Sequence, residues 1–241
     1  MLKENLERVE AQIAAACHAA GRMRESVELM AVSKTHPVDA IDEATKLGLT
    51  LFGENRVQEF ALKALHTAEL RKLCKNENVR VHLIGHLQSN KAARAAEIFD
   101  AVDSVDSLKL AERLNEAAGK FDKKLPILLE VKLSTEETKA GLDPASAEAA
   151  QLLERLPDFA HLEVQGLMTV APLGVSDDET RACFRALRTL RDEWAQKYSR
   201  LSLGVLSMGM SGDFKLAIAE GATRIRIGSA IFDERSYLEK V

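Results

Sequence analysis

Residues 27–44 read VELMAVSKTHPVDAIDEA. The first part, 27–32, is a short apolar run with the length and composition of a buried strand. Ser33 and Lys34 follow it, and helical spacing begins near Pro37, a residue favoured in the first turn of a helix. The segment therefore predicts a strand followed by a helix, with an ammonium group at the carboxyl end of the strand.

The same strand-then-helix unit recurs along the chain. Eight such units in about 220 residues match the usual size of a (β/α)8 barrel, or TIM barrel. The predicted strands are 27–32, 49–53, 79–85, 99–105, 125–133, 162–170, 201–209 and 223–229. The predicted helices are 37–47, 55–74, 88–98, 107–118, 144–155, 177–197, 213–220 and a short C-terminal helix.

An extra helix precedes the first unit. Leu6, Val9 and Ile13 lie three and four residues apart, which predicts an amphipathic helix that ends near Gly21. No linker rich in Pro, Gly and Ser interrupts the pattern, so we expect one domain over residues 1–241. The predicted fold is an α/β TIM barrel with this added N-terminal helix. An open doubly wound sheet is the competing prediction, because periodicity does not report closure.

The bulk properties exclude several function classes. The net charge of −4 and the sequence pI near 5.9 do not favour nucleic acid or an anionic membrane as a partner. Cys17, Cys74 and Cys183 are far apart and show no metal-binding spacing, which is typical of a reduced cytosolic protein. The sequence shows neither a signal-type apolar core nor a run long enough to span a membrane. We therefore expect a cytoplasmic protein.

Polar residues collect where the predicted strands end. In a barrel, the carboxyl ends of the strands and the loops after them form the active face. At or near the ends of the first six predicted strands the candidates are Lys34, Gly53, Glu54, Asn55, the segment 82–88, Lys132, Met168 and Thr169.

Two loops rich in glycine and serine follow the last two strands, in SMGMSGDF (207–214) and RIRIGSAIF (224–232). Each leads into a helix, where unpaired backbone N–H groups suit a phosphate. Barrels often bind phosphate with these two loops. The pair predicts one phosphate cup formed by Ser211, Gly212, Gly228 and Ser229, although each loop alone is more typical of a helix cap.

Arg224 and Arg226 lie in the eighth apolar strand, and we expect one of the two to face the barrel interior. A buried guanidinium needs an acceptor. A core carboxylate and a ligand atom both remain open as that acceptor for Arg226.

Lys34 is the candidate nucleophile. An amine at the end of a buried strand is partly desolvated, which favours its neutral form and makes it a candidate for a Schiff base. The alternative is a lysine that merely extends to solvent or forms an ion pair. A Schiff-base lysine together with a phosphate cup describes a site for pyridoxal 5′-phosphate, PLP. His82 is as typical of a core histidine as of a functional one.

Six segments then carry a family signature, in order along the chain: AVSKTHP, FGENRVQE, HLIGHLQSNK, GLMTVAP, LSMGMSGDFKLAI and TRIRIGSAIFDER. With them the chain resembles the PLP homeostasis proteins, fold-type III relatives of the N-terminal barrel of alanine racemase. The resemblance covers nearly the whole chain. It implies a PLP Schiff base on Lys34, Asn55 beside the ring, Arg226 at the pyridine nitrogen, and Ser211, Gly228 and Ser229 at the phosphate.

The resemblance also implies a non-catalytic protein that buffers PLP and passes it to PLP-dependent apo-enzymes. A single-domain amino-acid racemase is the alternative, with His82 or a water as second base, and a Schiff-base aldolase is a third hypothesis. In alanine racemase the second base is a tyrosine from a C-terminal β-domain. The tyrosines here, Tyr198 and Tyr237, are not obviously placed for that role. We expect a monomer with a partly exposed cofactor.

Overall fold

The structure is a computed structural model that describes residues 1–66, 79–133 and 140–232. Eight parallel strands follow one another in sequence order and form a closed barrel, with β8 paired to β1. Closure confirms the TIM barrel and excludes the open sheet. The strands are β1 (Glu28–Val32), β2 (Leu51–Glu54), β3 (Arg80–Leu83), β4 (Ala101–Val105), β5 (Leu125–Glu130), β6 (Leu162–Met168), β7 (Val205–Ser207) and β8 (Arg224–Ile227).

Helices surround the barrel and follow the strands as predicted. Within the described ranges they are α1 (Leu2–Ala19), α2 (Val38–Lys46), α3 (Val57–His66), α4 (Ala92–Ile98), α5 (Leu108–Lys120), α6 (Ala147–Arg155), α7 (Asp177–Lys197), α8 (Phe214–Ala219) and α9 (Ser229–Phe232). The remainder of the predicted helix 55–74 lies outside the described residues. Residues 134–139, in the stretch STEETKAGLDP (134–144) that the sequence predicts to be a polar loop, also lie outside the described residues.

All eight strands are shorter than predicted, and the carboxyl end of β5 and the amino end of β7 show why. β5 ends at Glu130, because the chain then turns to meet the segment around Leu142: Lys132 N donates to Leu142 O at 3.0 Å. Lys132 therefore follows the strand. β7 covers only Val205–Ser207, since the apolar residue Leu203 before it is buried without joining the sheet.

The N-terminal helix packs on the outside of the barrel, against α8 and α9. Leu6, Val9, Ile13 and Cys17 form its buried stripe, as their spacing predicts. The amide of Asn5 adds a polar contact, since its Nδ2 donates to Ile231 O in α9 at 3.1 Å. The helix thus connects the beginning of the chain to its last described helix.

Both arginines of β8 lie inside the barrel, where Arg224 and Arg226 are 3% and 4% exposed. The expectation that one of the two faces inward was wrong in its number, since both do. Residues two apart on a strand share a face. Arg224 donates to Asp103 Oδ2 at 3.1 Å and to Glu28 Oε2 at 2.8 Å.

No helix in the described part of the chain is long and apolar enough to cross a membrane. Residues 1–66, 79–133 and 140–232 contain no group of three or more His, Cys, Asp or Glu side chains that could hold a metal ion. Cys17 and Cys183 are both buried, and Cys74 lies outside the described residues.

Candidate functional site

A cavity of about 470 Å³ opens at the carboxyl ends of the strands. The six residues to which the resemblance gives a role all line it, and they come from the ends of β1, β2, β7 and β8: Lys34, Asn55, Ser211, Arg226, Gly228 and Ser229. Gly212, the remaining residue of the predicted phosphate cup, lines it as well. The lining does not include the other strand-end candidates Gly53, Glu54, Lys132, Met168 and Thr169. The structure therefore brings together an amine, an amide, a guanidinium and two serine-glycine loops.

Lys34 lies in the turn between β1 and α2, at the edge of this cavity. Its side chain is exposed, so the expected partial desolvation is wrong. The reason is that Lys34 is two residues beyond the last paired residue of β1, where the chain has already left the sheet. Thr35 follows with φ of 66°, a left-handed conformation that is strained for a β-branched residue.

Arg226 is held rigidly in the cavity wall. Its Nη1 donates to Ser207 Oγ at 2.8 Å and its Nη2 to Thr169 O at 2.9 Å, so neighbouring strands fix the guanidinium plane. Burial lowers the pKa of Arg226, and the more distant carboxylates of Asp103, Glu130 and Asp213 oppose that shift. Both acceptors are neutral, and no ion pair with Arg226 is found among the described residues.

The two serine-glycine loops lie side by side at the cavity. Gly209 has φ of +93°, and a Cβ there would lie 2.6 Å from Ala217 Cβ, so the loop after β7 needs this glycine. The Asp213 carboxylate accepts a hydrogen bond from Met210 N at 2.5 Å and shapes the same loop. A Cβ at Gly228 would approach Val32 O to 3.2 Å, which shows how closely the end of β8 passes β1.

Asn55 is positioned by an unusually close backbone contact. A Cβ on Gly85, in the loop after β3, would lie 2.2 Å from Asn55 O. Only glycine allows this loop to pack on the residue after β2. Gly85 lies within the candidate segment 82–88, but its contact with Asn55 has no signal in the sequence beyond the turn in HLIGH.

The residues of the cavity fit PLP. Serine hydroxyls and the backbone N–H groups of glycine loops are donors that suit a phosphate. Apolar side chains suit the two faces of an aromatic ring, and a fixed guanidinium suits a ring nitrogen. The apolar part of the lining is Val32, Ile84, Val170 and Met210.

Comparison with known proteins agrees with this chemistry. The model of the family "Alanine racemase, N-terminal domain" matches residues 5–235. A pyridoxal phosphate homeostasis protein of Vibrio cholerae is 44% identical over 238 residues, which cover 98% of this chain and 97% of the relative. Its counterpart in Escherichia coli K12 is 37% identical over 241 residues, with 99% of each chain covered. The chain belongs to the pyridoxal phosphate homeostasis protein family.

Solved structures place this family member in the same group. PipY of Synechococcus elongatus PCC7942, solved with PLP bound, is 42% identical with a TM-score of 0.83, covering 96% of this chain and 100% of PipY. Alanine racemase of Clostridium difficile is 16% identical with a TM-score of 0.72, covering 100% of this chain and 58% of the racemase. The second likeness shows the shared fold alone.

Glu130 is a buried polar residue that was not among the candidates predicted from the sequence. It ends β5 and is 9% exposed, and burial together with the nearby Asp106 raises the pKa of Glu130 to about 7, against the opposing charges of Arg226 and His86. Its Oε2 has no hydrogen-bond partner among the described residues. The available signal was a glutamate inside the apolar run ILLEV, but the predicted strand extended past it to Leu133 and so did not place Glu130 at a strand end.

Other candidates lie away from the cavity. His82 is buried in the barrel interior with its Nδ1 3.0 Å from Asp103 Oδ1, and is therefore a satisfied core residue. Tyr198, considered above as a second base, follows the end of α7. Lys91, in the motif HLIGHLQSNK, lies in a short 3-10 turn before α4. Tyr237 lies outside the described residues.

Proposed function

We propose that the chain binds PLP reversibly through a Schiff base on Lys34 and buffers or carries the cofactor without catalysing a reaction on it. One observation carries this proposal: Lys34, Arg226 and the two serine-glycine loops line a single cavity. The curated relatives are named for pyridoxal phosphate homeostasis, and PipY was solved with PLP bound, which supports the same ligand here.

Each lining residue has a defined role in this proposal. When bound, PLP supplies an aldehyde that condenses with an amine and releases water. Lys34 provides that amine, and Asn55 lies beside the ring. The phosphate is held by hydroxyl and backbone donors at the strand ends of β7 and β8: Ser211, Gly228 and Ser229.

Arg226 sets the character of the site. A guanidinium donates hydrogen bonds and does not give up its proton, so a ring nitrogen beside it stays unprotonated. An unprotonated ring is a weaker electron sink, which disfavours carbanion chemistry. This supports a carrier over demanding carbanion chemistry such as transamination.

The cavity also offers few groups for proton transfer. A two-base racemase needs an acid or base on each face of the substrate carbon. The described lining contains one amine, but no imidazole, phenol or carboxyl group. His82, the residue considered for that role, is engaged by Asp103 below the cavity.

The remaining parts of the proposal concern the surroundings of the protein. It acts in the cytoplasm as a monomer with one domain over 1–241, and delivers PLP to apo-enzymes. The exposed position of Lys34 supports this, because an imine at an open cavity edge is accessible to water and to a receiving protein. Sedimentation of the 26.5 kDa chain tests the monomer.

The decisive experiment is the absorption spectrum of the purified protein with PLP, before and after borohydride reduction, followed by peptide mapping. The proposal requires a visible band that reduction removes and a pyridoxyl group on Lys34. Lys34→Ala should lose the band, while Lys46→Ala, on the exposed face of α2, should keep it. A colourless protein that takes up no PLP would overturn the proposal. Loss of α-deuterium from an amino acid, well above the rate with free PLP, would favour the racemase instead.

A further inference from the structure

Three side chains support the turn that carries Lys34, and none of them lines the cavity. They are Glu54 at the end of β2, with Glu59 and Lys63 on α3, and we call them the Lys63 clamp. The Lys63 ammonium lies 2.8 Å from Glu54 Oε1 and 2.9 Å from Glu59 Oε1. The same ammonium donates to the backbone carbonyl of Ser33 at 3.2 Å.

The clamp holds the residues on both sides of Lys34. Before it, Ser33 Oγ donates to Glu54 Oε1 at 2.8 Å. After it, Thr35 N donates to Glu59 Oε1 at 2.7 Å. The Lys34 ammonium itself forms no hydrogen bond or ion pair within the described part of the chain. The backbone at Lys34 is therefore fixed while its amine stays available.

The turn needs such support because Thr35 is in the left-handed region, at φ 66°. A β-branched residue adopts that conformation only where the surrounding structure imposes it. The hydrogen bond from Thr35 N to Glu59 is the direct contact that does so. Strain of this kind, next to the proposed nucleophile, is a typical sign of a residue held for function.

The charges of the clamp depend on one another. Glu54 is fully buried, and burial raises its pKa, while the Lys63 ammonium and the Ser33 hydroxyl act in the opposite direction. Lys63 is 11% exposed, and its ammonium compensates a carboxylate that would otherwise be buried without a partner. Removing Lys63 would leave the buried Glu54 carboxylate without its cation and would break the link that joins Glu54, Glu59 and the Ser33 carbonyl.

We propose that Lys63 is a positioning residue for Lys34: through Glu54 and Glu59 it holds Thr35 in the left-handed conformation and so aims the Lys34 amine into the cavity. This inference rests on the proposed function for the identity of the aldehyde that Lys34 meets. The arrangement of the turn can be tested without any ligand.

The test uses substitutions that remove or relieve the clamp. Lys63→Met removes the ammonium, and Lys63→Arg keeps a cation at the same position. Glu59→Ala removes the acceptor of Thr35 N at a partly exposed site, so it serves if Lys63→Met fails to fold. Lys46→Met is the matched control, because Lys46 also pairs with a carboxylate four residues away, on α2.

The first readout is amide hydrogen exchange of residues 33–36 in the protein without PLP. We expect Lys63→Met and Glu59→Ala to speed exchange at Thr35, and Lys46→Met to leave it unchanged. The second readout is imine formation with PLP, which we expect to weaken roughly 10- to 100-fold, as misplacement of a reacting group does. Reductive methylation of Lys34 by formaldehyde with cyanoborohydride as reductant needs no cavity, and its rate should change less than about twofold, since positioning affects only the reaction with a bound aldehyde.

Rescue provides the sharpest test. Thr35→Gly makes the left-handed conformation accessible without support. Combined with Glu59→Ala or Lys63→Met, it should restore most of the lost imine formation, and Lys63→Arg should keep much of it. Unchanged exchange and binding in the clamp variants, or a failure of Thr35→Gly to rescue, would overturn the inference. If the unsubstituted protein forms no imine with PLP, the proposed function fails, whereas the exchange data still decide the role of the clamp.

Discussion

Arg224 and Arg226 point into the barrel from the same face of β8, yet they differ in their partners. Of the two, Arg224 forms ion pairs with carboxylates, whereas Arg226 forms none with the described residues. Arg224 binds Asp103 and Glu28, while Arg226 donates to a hydroxyl and a backbone carbonyl. The two buried guanidiniums thus have different roles. Arg224 belongs to the core of the barrel, and Arg226 lines the cavity at the carboxyl ends of the strands.

The core pair of Arg224 and Asp103 should contribute to the stability of the fold. Asp103 is buried, and although burial raises its pKa, His82 and Arg224 outweigh that effect and hold the pKa low. Asp103→Asn removes the charge shared by both partners and should lower the free energy of unfolding by about 3 kcal/mol, as breaking a buried pair does. Urea denaturation at neutral pH measures it, with the exposed Asp192→Asn as control. A loss below about 1 kcal/mol would contradict the assigned structural role.

Arg226, which lines the cavity, should contribute to ligand binding. Arg226→Lys keeps a positive charge but loses the planar fork that reaches Ser207 Oγ and Thr169 O together. We expect PLP binding to weaken about tenfold, the effect of one lost charge-assisted hydrogen bond. Titration of the visible absorbance checks this. The matched variant Arg224→Lys should mainly lower the urea midpoint, and the reverse pattern would refute the division of roles.

Gly85 should tolerate no side chain. A Cβ there would lie 2.2 Å from Asn55 O, so Gly85→Ala must displace the backbone after β2. We expect a loss of about 1 to 3 kcal/mol in the free energy of unfolding, typical of overpacking, together with weaker PLP binding. Gly204→Ala is the control, since a Cβ at that position meets no atom within 4 Å. Equal behaviour of the two variants in thermal unfolding would show that the loop after β3 adjusts freely.

Glu130 should make stability depend on pH near neutrality. Its pKa is raised to about 7 in the folded protein, so its contribution to stability is full below pH 4.5 and is lost as the pH rises through about 7. Glu130→Gln remains neutral and should gain about 2 to 3 kcal/mol relative to the unsubstituted protein between pH 4.5 and pH 8. Urea unfolding at several pH values measures the difference. Glu163→Gln, on an exposed site, should follow the unsubstituted profile.

The sequence predicted the order of elements well, because buried parallel strands are continuous apolar runs and their number matched a barrel. Closure itself has no local signal, and the pairing of β8 with β1 joins residues almost two hundred positions apart, such as Glu28 and Arg224. The candidate site was predicted wherever a chemically distinctive residue followed an apolar run. Ile84 and Val170 line the same cavity but look like ordinary core residues.

The exposure of Lys34 and the shared face of Arg224 and Arg226 were predicted incorrectly for different reasons. Exposure depends on where the chain leaves the sheet, a feature that hydrogen bonding at the strand end decides. The orientation of the arginines followed directly from strand geometry, in which every second residue shares a face.

The contact between Asn5 and Ile231 means that the two described ends of the chain support one another. Helix α9, which accepts this contact, begins with Ser229 at the cavity edge. The first turns of α1 therefore support, from outside the barrel, the loop proposed to bind the phosphate. None of their residues is in the described lining of the cavity. An affinity tag or truncation at the amino terminus would act on cofactor retention from the opposite side of that loop, and protein engineering of this barrel should leave its first helix intact.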